Sequence, residues 1–158
     1  MRYIGIDPGL EGAVALIGDG LVVVENVPVI NVGGRKKTRR EIDPVGCLFL
    51  LRELIAMGHE HVAAIESVHS MPEQGVASSF TFGKGFGIWI GLITSLGIPF
   101  DLVTPQRWKK VMMDGMGKDK GASVYRARQL FPLADLSLKK HHGRADALLI
   151  AEWRRRQG

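Results

Sequence analysis

The sequence predicts an α/β fold, a mixed five-stranded sheet flanked by helices, in one domain covering residues 1–158. Three observations carry that expectation. Short β-prone runs near the N-terminus are separated by turn formers, later apolar strands alternate with segments of helical period, and the composition is that of an ordinary globular chain, 46% hydrophobic and 23% charged. A chain of 158 residues can bury one substantial core. No repeat, low-complexity tract or internal linker divides it.

Tyr3 to Ile6, Ala13 to Ile17 and Leu21 to Val27 are separated by Pro8-Gly9, Gly12 and Gly18-Asp19-Gly20, which predicts a three-stranded antiparallel meander. Asn31 to Arg40 holds Gly33, Gly34 and five basic residues with almost no apolar anchor, the pattern of a mobile basic loop. Asp43-Pro44 then reads as a helix N-cap followed by proline in the first turn, and Val45, Leu48, Leu51, Leu54 and Ile55 recur at helical spacing until Gly58. His61 to Glu66 is an apolar strand closing on an acid. A long helix is expected within Val76 to Leu96, a strand from Pro99 to Val103, and a second cap-plus-proline helix start at Thr104-Pro105 that continues through Trp108 and Val111. Helices over Gly121 to Leu130 and His142 to Arg155 complete the chain.

Net charge is +5, which favours an anionic partner. The single cysteine, Cys47, lies in an apolar run and cannot form an internal disulfide, so a reducing cytoplasm is the expected setting. The N-terminus lacks the build of a cleaved signal peptide. Phe80 to Leu96 contains Lys84 and four glycines and falls short of the roughly 20 residues a bilayer span needs. It predicts a core or interface helix, and no membrane partner is expected.

Asp7 and Glu66 end hydrophobic strands, and Asp146 opens an otherwise apolar helical run. Carboxylates so placed can converge at one end of a sheet. Their oxygens suit Mg²⁺ or Mn²⁺, and two such ions about 3.5–4 Å apart can stabilise the attacking and leaving oxygens of phosphodiester cleavage. Taken singly, each acid could equally solvate a loop or cap a helix.

Read with their neighbours, the acids fall into an ordered series. Ile4-Gly5-Ile6-Asp7-Pro8-Gly9 with Gly12-Ala13, then Ala64-Ile65-Glu66-Ser67-Val68, then His142-Gly143-Arg144-Ala145-Asp146-Ala147-Leu148, resembles the three acidic motifs of the RuvC family of Holliday-junction resolvases, in order and separation and over nearly the whole chain. The resemblance implies an RNase H-like core, a homodimer, two divalent ions (Mg²⁺ or Mn²⁺) per site, and paired symmetric nicks in four-way or other branched DNA. It makes Asp7, Glu66 and Asp146 metal-binding acids. It also implies the cytoplasm of a bacterial or phage-infected cell. One departure stands out: the family commonly has another acid, or a histidine, three or four residues before the last acid, where this chain has Gly143 and His142. His142 is therefore the candidate fourth ligand or catalytic group. On a helix it shares a face with Asp146, whereas His141 is rotated by about 100°. The other reading of His142 is a plain N-terminal residue of the last helix. Other functions left open are an RNase H-like nuclease acting on other nucleic acids, a non-catalytic junction-binding protein and an ATP-binding member of the superfold.

Arg107-Trp108-Lys109-Lys110 and Gly115 to Lys120 resemble the stretch in which the family carries DNA-contacting lysines, with Lys109 and Lys120 the best matches and Lys118 and Arg107 beside them. Lysines near glycine turns can approach phosphates closely. Arg35, Lys36, Lys37, Arg39 and Arg40 are further DNA-binding candidates or simply a solubilising loop. His69 occupies the place of an aromatic that could stack on a base, or it stabilises a turn. Phe80, Phe82, Phe86 and Trp89 are expected in the core or an interface. Gly83, Gly87 and Gly91 form one stripe that calls for a close contact, either with the sheet or with the same helix in a second subunit.

Overall fold

A computed structural model of the chain describes residues 1–34, 37–67, 75–117, 119, 121–138 and 141–158. Five strands form the main sheet: β1 (Arg2–Asp7), β2 (Ala13–Gly18), β3 (Leu21–Asn26), β6 (His61–Glu66) and β7 (Phe100–Val103). Their order is β3-β2-β1-β6-β7, antiparallel from β3 to β1 and parallel from β1 to β7. The mixed sheet and the N-terminal meander are as expected. Asp19 and Gly20, with φ of 51° and 78°, make the tight β2–β3 turn that an Asp-Gly pair favours.

Residues 31–40 correct the expectation of a loop. Val29–Gly34 and Lys37–Ile42 pair as an antiparallel hairpin, β4 and β5. The flanks supply the anchor that the polar stretch lacks. Ile42 is buried, Val27 is buried beside it, and the carboxylate of Glu41, only 7% exposed, binds Arg39 at 2.7 Å and Lys84 on the neighbouring helix.

Helices cover both faces of the sheet. One face carries α1 (Pro44–Ala56) and α2 (Val76–Ser95), which enclose Ile4, Ile6, Leu16, Cys47, Leu51, Ile65, Trp89 and Ile93. The other carries α3 (Pro105–Met112), α4 (Ala122–Leu130) and α5 (His142–Arg155), around Ala15, Val103, Trp108, Met112 and Leu148. Both cap-plus-proline starts form as expected, Asp43 accepting from the Val45 N–H and Thr104 from the Arg107 N–H. Among the described residues no helix is long and apolar enough to cross a membrane.

Helix α5 lies directly on the centre of the sheet. A Cβ on Gly5 of β1 would stand 2.1 Å from the Ala147 carbonyl oxygen and 2.4 Å from the Ala151 nitrogen, so glycine is what permits this approach. In α2, Gly85, Trp89 and Ile93 face inwards, which turns Gly83, Gly87 and Gly91 outwards. Among the described residues, a Cβ on any of these three would meet nothing within 4 Å. The sheet is therefore not the contact that offsets the glycine stripe. Of the aromatic series, Trp89 is fully buried and Phe86 packs against the core, while Phe80 is 72% exposed.

Candidate active site

Strand register brings the first two acids together. Ile6 of β1 lies opposite Ile65 of the parallel β6, so Asp7 and Glu66 leave adjacent strands at the same end. The turn after β1 is wrapped around Asp7. Its Oδ1 accepts from the Gly9 N–H at 3.2 Å, and a Cβ on Gly12 would lie 2.1 Å from the Asp7 carbonyl oxygen. Asp146 arrives from the second turn of α5, whose start is pressed onto that loop: a Cβ on Gly143 would stand 2.1 Å from the Glu11 carbonyl oxygen. Arg144 fixes the same turn laterally, bonding Asn26 at the end of β3 at 2.7 Å and Asp135 at 2.9 Å.

The electrostatics record the convergence. Burial, then the charge of Glu66, then that of Asp146, pushes the Asp7 carboxyl up to about 7 against the opposing pull of the Gly9 N–H and Lys109. Burial also raises Glu66, with Asp146 adding to the effect and the Trp108 hydrogen bond and Lys109 opposing it. Asp146 is raised by burial and drawn back by the Ser123 hydroxyl, Lys109 and His142. Its Oδ1 is buried with no hydrogen-bond partner among the described residues.

This donor set fits a hard divalent cation. Three half-buried carboxyls lie towards one corner, each held above its ordinary titration range, and one buried oxygen lacks a partner among the described residues. Among the described residues no three carboxylate, imidazole or thiol groups already stand close enough to enclose an ion. The acids would have to draw together around one.

The two adjacent histidines separate as the helical spacing implies. His142 is exposed and close enough to Asp146 for its charge to be felt there. His141, 7% exposed, precedes the helix, where its Nδ1 lies 3.5 Å from the Leu138 nitrogen and 4.0 Å from an Asp135 oxygen.

Lys109 acts electrostatically on all three acids. Arg107 does not join them; its guanidinium lies 5.4 Å over the ring of Trp153 near the far end of α5. Arg40 reaches back to pair with Glu11 on the turn beside Asp7, and Arg39 pairs with Glu41. His69, Arg35, Lys36, Lys118 and Lys120 lie outside the described residues, as does the side chain of Lys37.

Sequence reasoning missed three contacts. Trp108, fully buried, donates its Nε1–H to Glu66 Oε1 at 2.8 Å. The Ser123 hydroxyl draws the Asp146 carboxyl down, and Arg144 braces the start of α5. Only Trp108 carried a signal, as the one aromatic inside a basic run.

A mixed sheet of order β3-β2-β1-β6-β7 with helices on both faces and three half-buried carboxyls towards one end defines an RNase H-like fold. Its particular version is the RuvC fold. Thermus thermophilus RuvC in complex with a Holliday junction substrate superposes with a TM-score of 0.65 at 15% identity, covering 100% of this chain and 96% of that one. A second Thermus thermophilus RuvC structure gives 0.61 at 19% identity, covering 100% and 97%. In sequence, the chain is 41% identical over 85 residues, 52% of its length, to the chloroplastic Holliday junction resolvase MOC1 of Chlamydomonas reinhardtii, and it spans 10% of that protein. That relative's name places it in a chloroplast, not in the bacterial or phage-infected cytoplasm expected for this chain. No family model matches the sequence.

Proposed function

We propose that this chain is a metal-dependent, structure-selective endonuclease that resolves four-way or other branched DNA by paired nicks. The observation that carries the proposal is the convergence of Asp7, Glu66 and Asp146 in one half-buried corner with Lys109 acting on all three. Mutually repelling carboxyls in a half-buried site are an unstable arrangement unless cations are expected there.

Asp7, Glu66 and Asp146 would hold Mg²⁺ or Mn²⁺, two ions per site, with His142 as a further ligand or acid–base group. Bound there, the metal supplies an activated water and neutralises charge on the leaving oxygen. The protein's own residues do the rest. Lys109 holds a phosphate oxygen against the acids' repulsion. His142, exposed beside Asp146, can steady the phosphate or protonate the leaving oxygen. The β4–β5 hairpin presents Arg39 and Arg40, with Arg35, Lys36 and Lys37 adjacent in sequence, to the DNA backbone. Lys118, Lys120 and Arg107 would extend the basic surface, and His69 would stack on a base.

The second subunit of the homodimer would sit on α2. That helix turns an exposed glycine stripe and Phe80 away from its own core, and a close helix partner is what offsets glycine's weak helix propensity. Closed twofold symmetry then matches two symmetric nicks.

Incubation with Mg²⁺ and a synthetic immobile four-way junction, beside flaps and RNA–DNA hybrids, tests the reading. Paired nicks in the junction are expected. Preferred cutting of hybrids would make it a different nuclease of this fold, and binding without cutting would make it a junction-binding protein.

A further inference from the structure

Helix α3 is short and two-sided. Trp108 and Met112, four residues apart, are buried against the core, while the neighbouring Lys109 is exposed. The cap at Thr104 and the proline after it fix where the helix starts, hence where the Trp108 ring points. That ring has two partners at the acidic corner. Its N–H edge donates to Glu66 Oε1 at 2.8 Å, and its face lies 5.0 Å from the Lys109 ammonium.

We infer that Trp108 is a positioning residue for metal binding, one indole holding both the Glu66 carboxylate and the Lys109 ammonium in place. The inference deepens the metal-dependent nuclease reading and rests on it. An indole N–H is a donor only and carries no charge. It can orient a carboxylate without cancelling the negative charge a cation needs, as an arginine or lysine would. A carboxylate has about four acceptor positions, so one indole bond leaves the remainder for a metal ion. Satisfaction of a buried N–H does not by itself account for the contact. In the opposite core Trp89 is equally buried and its Nε1 has no partner among the described residues, so burial of an indole does not by itself bring a carboxylate to its N–H here. Partners that orient metal-binding side chains typically contribute about 10–100-fold to metal affinity or activity.

The test compares wild-type protein with Trp108→Phe and with a chain carrying benzothienylalanine at position 108, which keeps the bicyclic ring and loses only the N–H. Met112→Ala, on the same helix and equally buried, is the control for general loosening. Mn²⁺ affinity is measured by calorimetry on the free protein, Mg²⁺ dependence by nicking of a four-way junction, and junction affinity in EDTA by fluorescence anisotropy. Both position-108 variants should bind Mn²⁺ about 10–100-fold more weakly and need correspondingly more Mg²⁺ for half-maximal nicking. Junction affinity in EDTA should be unchanged in the benzothienylalanine protein, whose ring face still meets Lys109, and excess Mg²⁺ should restore part of the rate in both. Wild-type Mn²⁺ affinity in the benzothienylalanine protein, or an equal loss in Met112→Ala, overturns the inference. Wild-type protein that nicks no branched DNA counts against the nuclease reading, and the Mn²⁺ titration still decides the role of Trp108.

Discussion

Replacing Asp7 by asparagine should stabilise the metal-free protein while abolishing its chemistry. The Asp7 carboxyl titrates at about 7 in the folded chain against 3.8 as the ordinary value, because it is buried beside Glu66 and Asp146. A folded-state pKa raised in this way means that the folded chain binds the proton more tightly than the unfolded one. Stability therefore falls as pH rises from about 4 to about 7, and the whole penalty is present above that. At about 1.4 kcal/mol per pH unit, the ceiling is about 4 kcal/mol. Asparagine keeps an oxygen to accept the Gly9 N–H and removes the charge. In urea titrations in EDTA at about pH 8, Asp7→Asn should gain as much as about 4 kcal/mol, a midpoint shift of up to about 2 M for a slope near 2 kcal/mol per M. The gain should shrink through about pH 6 and vanish near pH 4. Mg²⁺ should stabilise the wild type at high pH and leave the variant almost untouched. A variant no more stable than wild type at pH 8, or a gain independent of pH, would refute the claim that the acids form a strained, cation-seeking cluster.

Glu66→Gln should abolish junction nicking while leaving junction affinity equal or improved, since it removes repulsion of phosphate; gel shifts in EDTA beside a cleavage assay check both. His142→Ala should lower the nicking rate by at least about tenfold with folding intact, as expected of an acid–base group, whereas His141→Ala should lower the melting temperature instead. Gly143→Ala places a Cβ 2.1 Å from the Glu11 carbonyl oxygen and should destabilise by about 1–3 kcal/mol or more, read by denaturant titration. Gly87→Leu has open space in the single chain and should fold normally, yet light scattering should show a weakened dimer.

The fold was legible wherever local pattern and tertiary packing demand the same thing. The β6 strand from His61 to Glu66 and the α5 helix from His142 to Arg155 begin and end where their apolar periods do, since the middle of each is buried in the core. The β4–β5 hairpin was illegible because its central stretch, Asn31 to Arg40, is mostly polar and glycine. What folds it is the pairing of Glu41 with Lys84 and the seating of Ile42 against Gly85, both contacts with residues of α2 more than forty positions away. Period alone also left the glycine stripe of α2 ambiguous. The inward series Gly85, Trp89, Ile93 settles which way the stripe faces.

The acids were legible because strand ends and helix starts are where a fold can gather charge; what holds them was not, because a donor such as Trp108 looks like core until its N–H is seen on Glu66. The same distinction explains why position 143 carries no acid. The start of α5 lies so close to the β1–β2 turn that any side chain there would run into the Glu11 carbonyl, and this closeness is what presses Asp146 towards Asp7. One turn earlier, position 142 is exposed and keeps the face of Asp146. A polar group working with the last acid from the first turn of α5 therefore has one place to stand, and the chain puts an imidazole there.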